Sequence, residues 1–208
     1  MAHSGQPLYQ RSVFINCPFD GEYVPIFRAI IFTVFACGFE PRSTLEHEDA
    51  SQVRIEKIYR LIAGSAFGIH DISRTELDGE NQLPRFNMPL ELGVFLGAKQ
   101  FGTGRHRSKR CLVLDRERYR FQKFISDIAG QDIKAHGNSP EIVVRTVRDW
   151  LRDAIGQKTM PGGSHLWARY QLFTTDLTEM CETAKLTPAH LTFRDFYHLV
   201  LEWLSVTR

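Results

Sequence analysis

One acid inside an apolar stretch stands out. Glu91 lies in PRFNMPLELGVFLG, with Met88, Leu92, Val94 and Phe95 as its helical neighbours. With Asn87 as the N-cap of that helix, N3 is Leu90, so Glu91 falls one place past the glutamate of a capping box. Two readings stand. It is a first-turn acid that complements the helix dipole, an effect of about 0.3–1 kcal/mol, or it is a carboxylate held in apolar surroundings for chemistry. A second acid, Asp71, closes the apolar run AFGIHDI. A carboxylate there points into the mouth of a cleft or caps the following turn. His70 alternates with it and reads as a hydrogen-bonded core histidine.

Other residue types bear on binding. Arg42, Arg74 and Arg85 carry guanidinium forks that match phosphate oxygens, though surface arginines are common. Cys17 is a thiol that could act as a nucleophile, but no histidine lies close by in sequence and it reads as buried filler. The basic loop GTGRHRSKR (102–110) has no interleaved aromatic residues and reads as solvated, so no nucleic-acid partner is expected. Several familiar sites are absent: no G-x-x-x-x-G-K-[ST] loop, no G-x-G-x-x-G after the first strand, no G-x-S-x-G elbow. A phospho-receiver would use Asp71, but the acidic pair and lysine it needs have no convincing counterpart.

The elements that must position these residues alternate. Strand patterns at Ser12–Pro18, Phe39–Leu45, Ala66–Ile72, Arg110–Leu114 and Asp132–Ala135 are separated by helical patterns at Tyr23–Cys37, Ala50–Ala63, Met88–Lys99 and Arg118–Ala129. A fifth helix is expected over Ser139–Ile155, with Ser139 as N-cap and Pro140 at N1. Repeated β-α units imply an α/β fold with a parallel sheet and right-handed crossovers. Five strands suit the flavodoxin-like order 2-1-3-4-5, whose ligand crevice lies outside the carboxyl ends of strands 1 and 3. That rule selects Asn16, Cys17, Pro18, Phe19, Asp20 and Tyr23 after strand 1. After strand 3 it selects Asp71, Ser73 and Arg74, leading on to Arg85, Asn87 and Glu91.

GQKTMPGGS (156–164) is a Gly/Pro-rich break, so the chain divides into a domain over 1–155, a linker over 156–164 and a C-terminal helical appendage over 165–208. Thr192 and Asp195 form a capping pair for the last helix. Its wide apolar face must be covered by the main domain or by another chain, and a homo-oligomer is expected. The composition is that of a globular domain, and a net charge of +2 is too small to point to nucleic acid. Four cysteines without a Cys-x-x-Cys pair suggest reduced thiols and no metal site. The opening residues lack a signal-peptide pattern, and the longest apolar stretch is too short for a bilayer. A cytoplasmic protein with no membrane association is expected.

IHDIS followed by NMPLELG resembles the core of the TIR-like and nucleoside 2-deoxyribosyltransferase-like superfamily. PRFNMPLELGVFLGAK is especially similar to the TIR-like, nucleotide-binding proteins of bacterial defence systems, and FINCPFD resembles the first strand and loop of the transferases. The resemblance covers roughly residues 12–155. It implies N-glycosidic chemistry on a nucleoside, nucleotide or NAD. Glu91 would attack or stabilise the anomeric carbon, and Asp71 would help the base leave. Asn87 and its helix N-terminus would hold ribose or phosphate oxygens, and Tyr23 or Phe19 would stack on the base. NAD or a nucleotide enters as substrate; no resident cofactor is expected. The transferases place Asp-x-Gly-Thr ahead of the glutamate, where this chain has Arg85-Phe86-Asn87-Met88-Pro89-Leu90. The departure favours hydrolysis over deoxyribosyl transfer. A non-catalytic nucleotide sensor and a protein-interaction module are the alternatives.

Overall fold

The computed structural model describes residues 8–46, 51–77, 85–156 and 159–207. A one-turn helix, α1 (Leu8–Arg11), leads into β1 (Ser12–Asn16), and α2 (Val24–Ala36) and β2 (Glu40–Arg42) follow. Then come α3 (Arg54–Gly64), β3 (Phe67–Asp71), α4 (Asn87–Phe101) and β4 (Arg110–Asp115). The chain ends with β5 (Lys134–Ala135), α5 (Pro140–Ile155), α6 (Gly163–Thr183) and α7 (Phe193–Val206). All strands are parallel, in the order β2-β1-β3-β4-β5. This is the expected flavodoxin-like α/β sheet.

Strand residues alternate between two helix layers, as the pleat requires. Val13, Ile15 and Ile69 join the core shared with α2 and α5, while Phe14 packs with Ile58 and Ile62 of α3 and Phe95 of α4. Both faces are covered, so β1 is buried throughout and reads as an unbroken apolar run. The register sets Asn16 beside His70, which brings the carboxyl ends of β1 and β3 level. The chain reverses its direction of travel across the sheet there, the position at which folds of this order bind ligands.

The helix α2 is buried almost all round, with Ile26 and the whole run Ala29–Phe35 out of solvent. Its one face lies on the sheet and the other is covered by the tail. Phe32 has ring contacts with Tyr170 (5.2 Å), Phe173 (5.4 Å) and Trp203 (5.9 Å). Gly156 ends α5 in the left-handed conformation (φ 64°), and Arg148 donates to the carbonyls of Met160 and Pro161, both at 2.6 Å. The break is therefore strapped to α5, and α6 and α7 extend the core of the sheet layer. The capping box of Thr192 and Asp195 is formed, and the apolar face of α7 buries Phe196, Leu199, Val200 and Trp203 within its own chain. Among the described residues no helix is long and apolar enough to cross a membrane.

Three expectations are corrected. Residues 118–129 do not form an α-helix. Tyr119 is left-handed (φ 59°) and two short 3-10 turns, Arg120–Lys123 and Ser126–Ile128, follow. Their apolar residues still meet the cluster of Ile72, Met88, Leu92 and Val113, which two turns satisfy as well as a helix would. Asn87 is the first residue of α4 and exposed; the N-cap is Phe86, which makes no side-chain cap. The helix expected from Ala50 begins at Arg54, and Ala50 itself lies outside the described residues.

Phe173 is fully buried between α2 and α7. Phe173→Ala is expected to cost about 3–5 kcal/mol. Urea unfolding, followed by tryptophan fluorescence and far-ultraviolet dichroism, should keep one shared transition. Separate transitions for tail and sheet would show two independent cores.

Candidate active site

Glu91 is the fifth residue of α4. It sits beyond the first turn, which holds no acid, and it is only 5% exposed, so service to the helix dipole does not explain it. Asn16 ties this helix start to the sheet. Its amide nitrogen donates to the Met88 carbonyl (2.9 Å) and lies 3.1 Å from Nδ1 of His70. No described residue donates a hydrogen bond to the Glu91 carboxylate. Burial raises its pKa from 4.5 to about 7, with the charge of Arg54 pulling the other way.

Asp71 is the opposite kind of carboxylate. It is fully buried, and three groups point at it. The Tyr23 hydroxyl donates to Oδ2 (2.7 Å), the Ser73 amide donates to Oδ1 (2.8 Å), and Nε2 of His136 lies 3.0 Å from Oδ2. The Asn138 amide donates to Nδ1 of His136 (3.0 Å), so Nδ1 is bare and Nε2 carries the proton. The same Nε2 lies 2.9 Å from Ser73 Oγ. A nucleophilic serine triad uses opposite nitrogens of its imidazole, so this cluster is not one. The expectation that Asp71 opens into the cleft mouth is corrected. Tyr23, Ser73 and His136 close over it, and it holds three loops together.

The remaining site residues divide in the same way. Tyr23 is buried, and burial followed by the Asp71 charge pushes its phenol well up, so it stays a donor and its ring is not free to stack. Ser73 is buried and spent on Asp71 and His136. Asp20 caps the turn Gly21–Tyr23 through the Tyr23 amide (3.1 Å) and pairs with Arg74 (3.2 Å). Arg74 is also held by Glu22 at 2.5 Å, whereas Arg85 is half exposed and 4.0 Å from Asp20. Arg85 is thus the looser of the two for a phosphate. Pro18 and the part-exposed Phe19 wall a cavity against the tail. Asn87 is exposed at the start of α4.

Cys17 is buried, and burial, then the charges of Asp71, Glu91 and Asp20, raise its thiol well above its usual range. It lies within electrostatic reach of both acids and is a poor nucleophile. His70 is a core histidine as expected. Burial and the nearby Lys109 lower it to about 3. Phe14 and Phe95 contact its ring, and its Nε2 has no partner.

Two residues escaped the sequence reading. His136 directly follows β5, which the crevice rule, confined to strands 1 and 3, did not reach. Arg120 gave no signal, being placed in a helix that does not form. It donates to Asp115 (2.8 Å), Thr75 (3.0 Å) and the Ile72 carbonyl (2.6 Å), which pins the loop after β3. Asp115 is fully buried, and burial raises it against the pull of Arg120, while its Oδ2 remains unpartnered. Among the described residues no cluster of histidine, cysteine or acidic side chains suits a metal ion.

The raised Glu91 carboxyl has a consequence for stability. Between pH 4.5 and about 7 the folded protein holds a proton that the unfolded chain has lost. Stability therefore falls as pH rises through that window. Glu91→Gln is expected to be more stable than the parent at pH 8 by about 2–3 kcal/mol, with the gain vanishing near pH 4. Urea denaturation at the two pH values checks this, and an equal effect at both would contradict it.

No protein-family model, curated protein or solved structure matches this chain.

Proposed function

We propose that this chain hydrolyses the N-glycosidic bond of a nucleotide or of NAD, with Glu91 as nucleophile or charge stabiliser. The observation that carries the reading is Glu91, only 5% exposed and without a donor among the described residues, on a helix whose start Asn16 ties to the end of β1. Such an anion is poorly solvated in the free protein. A sugar ring losing its base develops positive charge at the anomeric carbon, and a carboxylate beside it gains most when that charge is largest. The attraction is therefore greater in the transition state than in the bound substrate, which is what lowers a barrier. Water then captures the sugar, directly or after a covalent glycosyl-enzyme intermediate.

In this reading Asp71 is a positioning residue. It holds the loop after β1 through Tyr23, its own loop through Ser73, and the loop before α5 through His136. Arg85, with its loose ion pair, is the group best placed to exchange Asp20 for a phosphate.

The test is incubation with NAD and a panel of nucleotides, read by mass spectrometry for free base and sugar. Glu91→Gln should lower turnover about 10²–10³-fold with the fold intact. Because the reactive form is ionised, kcat/KM should rise with pH and level off above about 7. Undiminished cleavage by Glu91→Gln would remove the assignment. Ligand binding without product from the parent protein would leave a nucleotide sensor.

A further inference from the structure

A cavity of about 200 Å³ lies between the loop after β1 and the start of α7. Its aromatic wall is a row in which Phe27 stands between Phe19 (5.6 Å) and Phe193 (6.1 Å). Two charged side chains also line it, Asp20 and Arg28. Arg28 is fixed: one nitrogen donates to the Pro188 carbonyl (2.8 Å) and the guanidinium lies 5.2 Å over the Phe196 ring. The rest of its fork has no acceptor among the described residues. On Asp20, Oδ1 takes the Tyr23 amide and Arg74, whereas Oδ2 has only Arg85 at 4.0 Å.

We propose that this cavity receives a planar nitrogen heterocycle bearing an exocyclic amino or amide group, so that the C-terminal helices build part of the ligand site. The inference rests on the N-glycosidase reading and names its base subsite. Size supports a ring, since an apolar cavity of about 150 Å³ accommodates benzene. Phenylalanine faces and edges suit a flat π-system. An aliphatic chain would use neither charged group, whereas a heterocycle uses both. Its exocyclic N–H donates to Asp20 Oδ2, and a ring nitrogen or amide oxygen accepts from Arg28. Pro18 and Phe19 of the wall directly follow Asn16, which anchors the start of the Glu91 helix, and Cys17. The cavity thus adjoins the loop that leaves the carboxyl end of β1.

The tail contributes Leu191, Thr192 and the exposed Ala189, which lies outside the Glu91 and Asp71 clusters. Ala189→Trp fills the cavity from the surface. It is expected to raise the KM for the cleaved nucleotide about tenfold or more, with kcat within about twofold of the parent. Adenine and nicotinamide, each titrated alone by calorimetry, should bind the parent and fail to bind Ala189→Trp. Phe19→Ala, on an exposed loop, is the second variant and should weaken the same probes. An unchanged KM and unchanged base binding in both variants would overturn the subsite even if Glu91 proves catalytic. Failure of the parent to bind either base would overturn it too. Base binding that is lost in Ala189→Trp, in a protein with no turnover, would uphold the subsite and remove the glycosidase reading.

Discussion

A buried carboxylate with donors from three loops turned towards it organises the carboxyl edge of this sheet. Asp71 takes hydrogen bonds from a side chain after β1, from a backbone amide after β3 and from a side chain after β5. Burying an ion without partners costs several kcal/mol, so each donor is obligatory. The donors come from three loops with no other reason to converge. The constraint propagates. Tyr23 fixes the turn that starts α2, and His136, held by the Asn138 amide, fixes the approach to α5. A second, parallel device works on the outer side. Arg120 binds the Ile72 carbonyl and Thr75 and so pins the loop that leaves Asp71.

Against that frame Glu91 is conspicuous for what it lacks. Asp71 is saturated with donors and Glu91 has none among the described residues, although both are almost wholly buried. Selection for stability alone would pair both or replace one, because an unpaired buried acid lowers stability at neutral pH. A carboxylate kept without a donor is the arrangement that the proposed glycosidase reading requires, since a developing positive charge on the substrate would then meet it.

Much of this was legible beforehand, and the limits follow from particular residues. The sheet order was readable because strands covered on both faces are continuous apolar runs, bounded by helices with clear caps such as Ser139 and Gly156. Glu91 was readable because an acid among Met88, Leu92 and Phe95 violates the helix pattern. Residues 118–129 misled because Phe121, Phe124, Ile125 and Ile128 carry helical spacing, and two 3-10 turns bury the same side chains. The left-handed Tyr119 that separates these turns from β4 has no local sequence mark. The direction of Asp71 was not readable, since whether a strand-end acid faces water depends on partners 48 and 65 positions away, at Tyr23 and His136.

The tail shows why position in the sequence is a poor guide to function. A Gly/Pro break followed by two helices reads as an appendage, yet α2 is apolar on the side away from the sheet and would expose Phe32 without them. The order of dependence therefore runs from the tail inward. The last two helices cover α2, and α2 carries Phe27 and Arg28 into the wall of the cavity it shares with α7. The loop that begins α2 delivers Tyr23 to Asp71. A change that loosened α7 would reach the carboxyl edge through α2 without touching Glu91. It would shift the loop that carries Tyr23 before it reached the helix that carries Glu91.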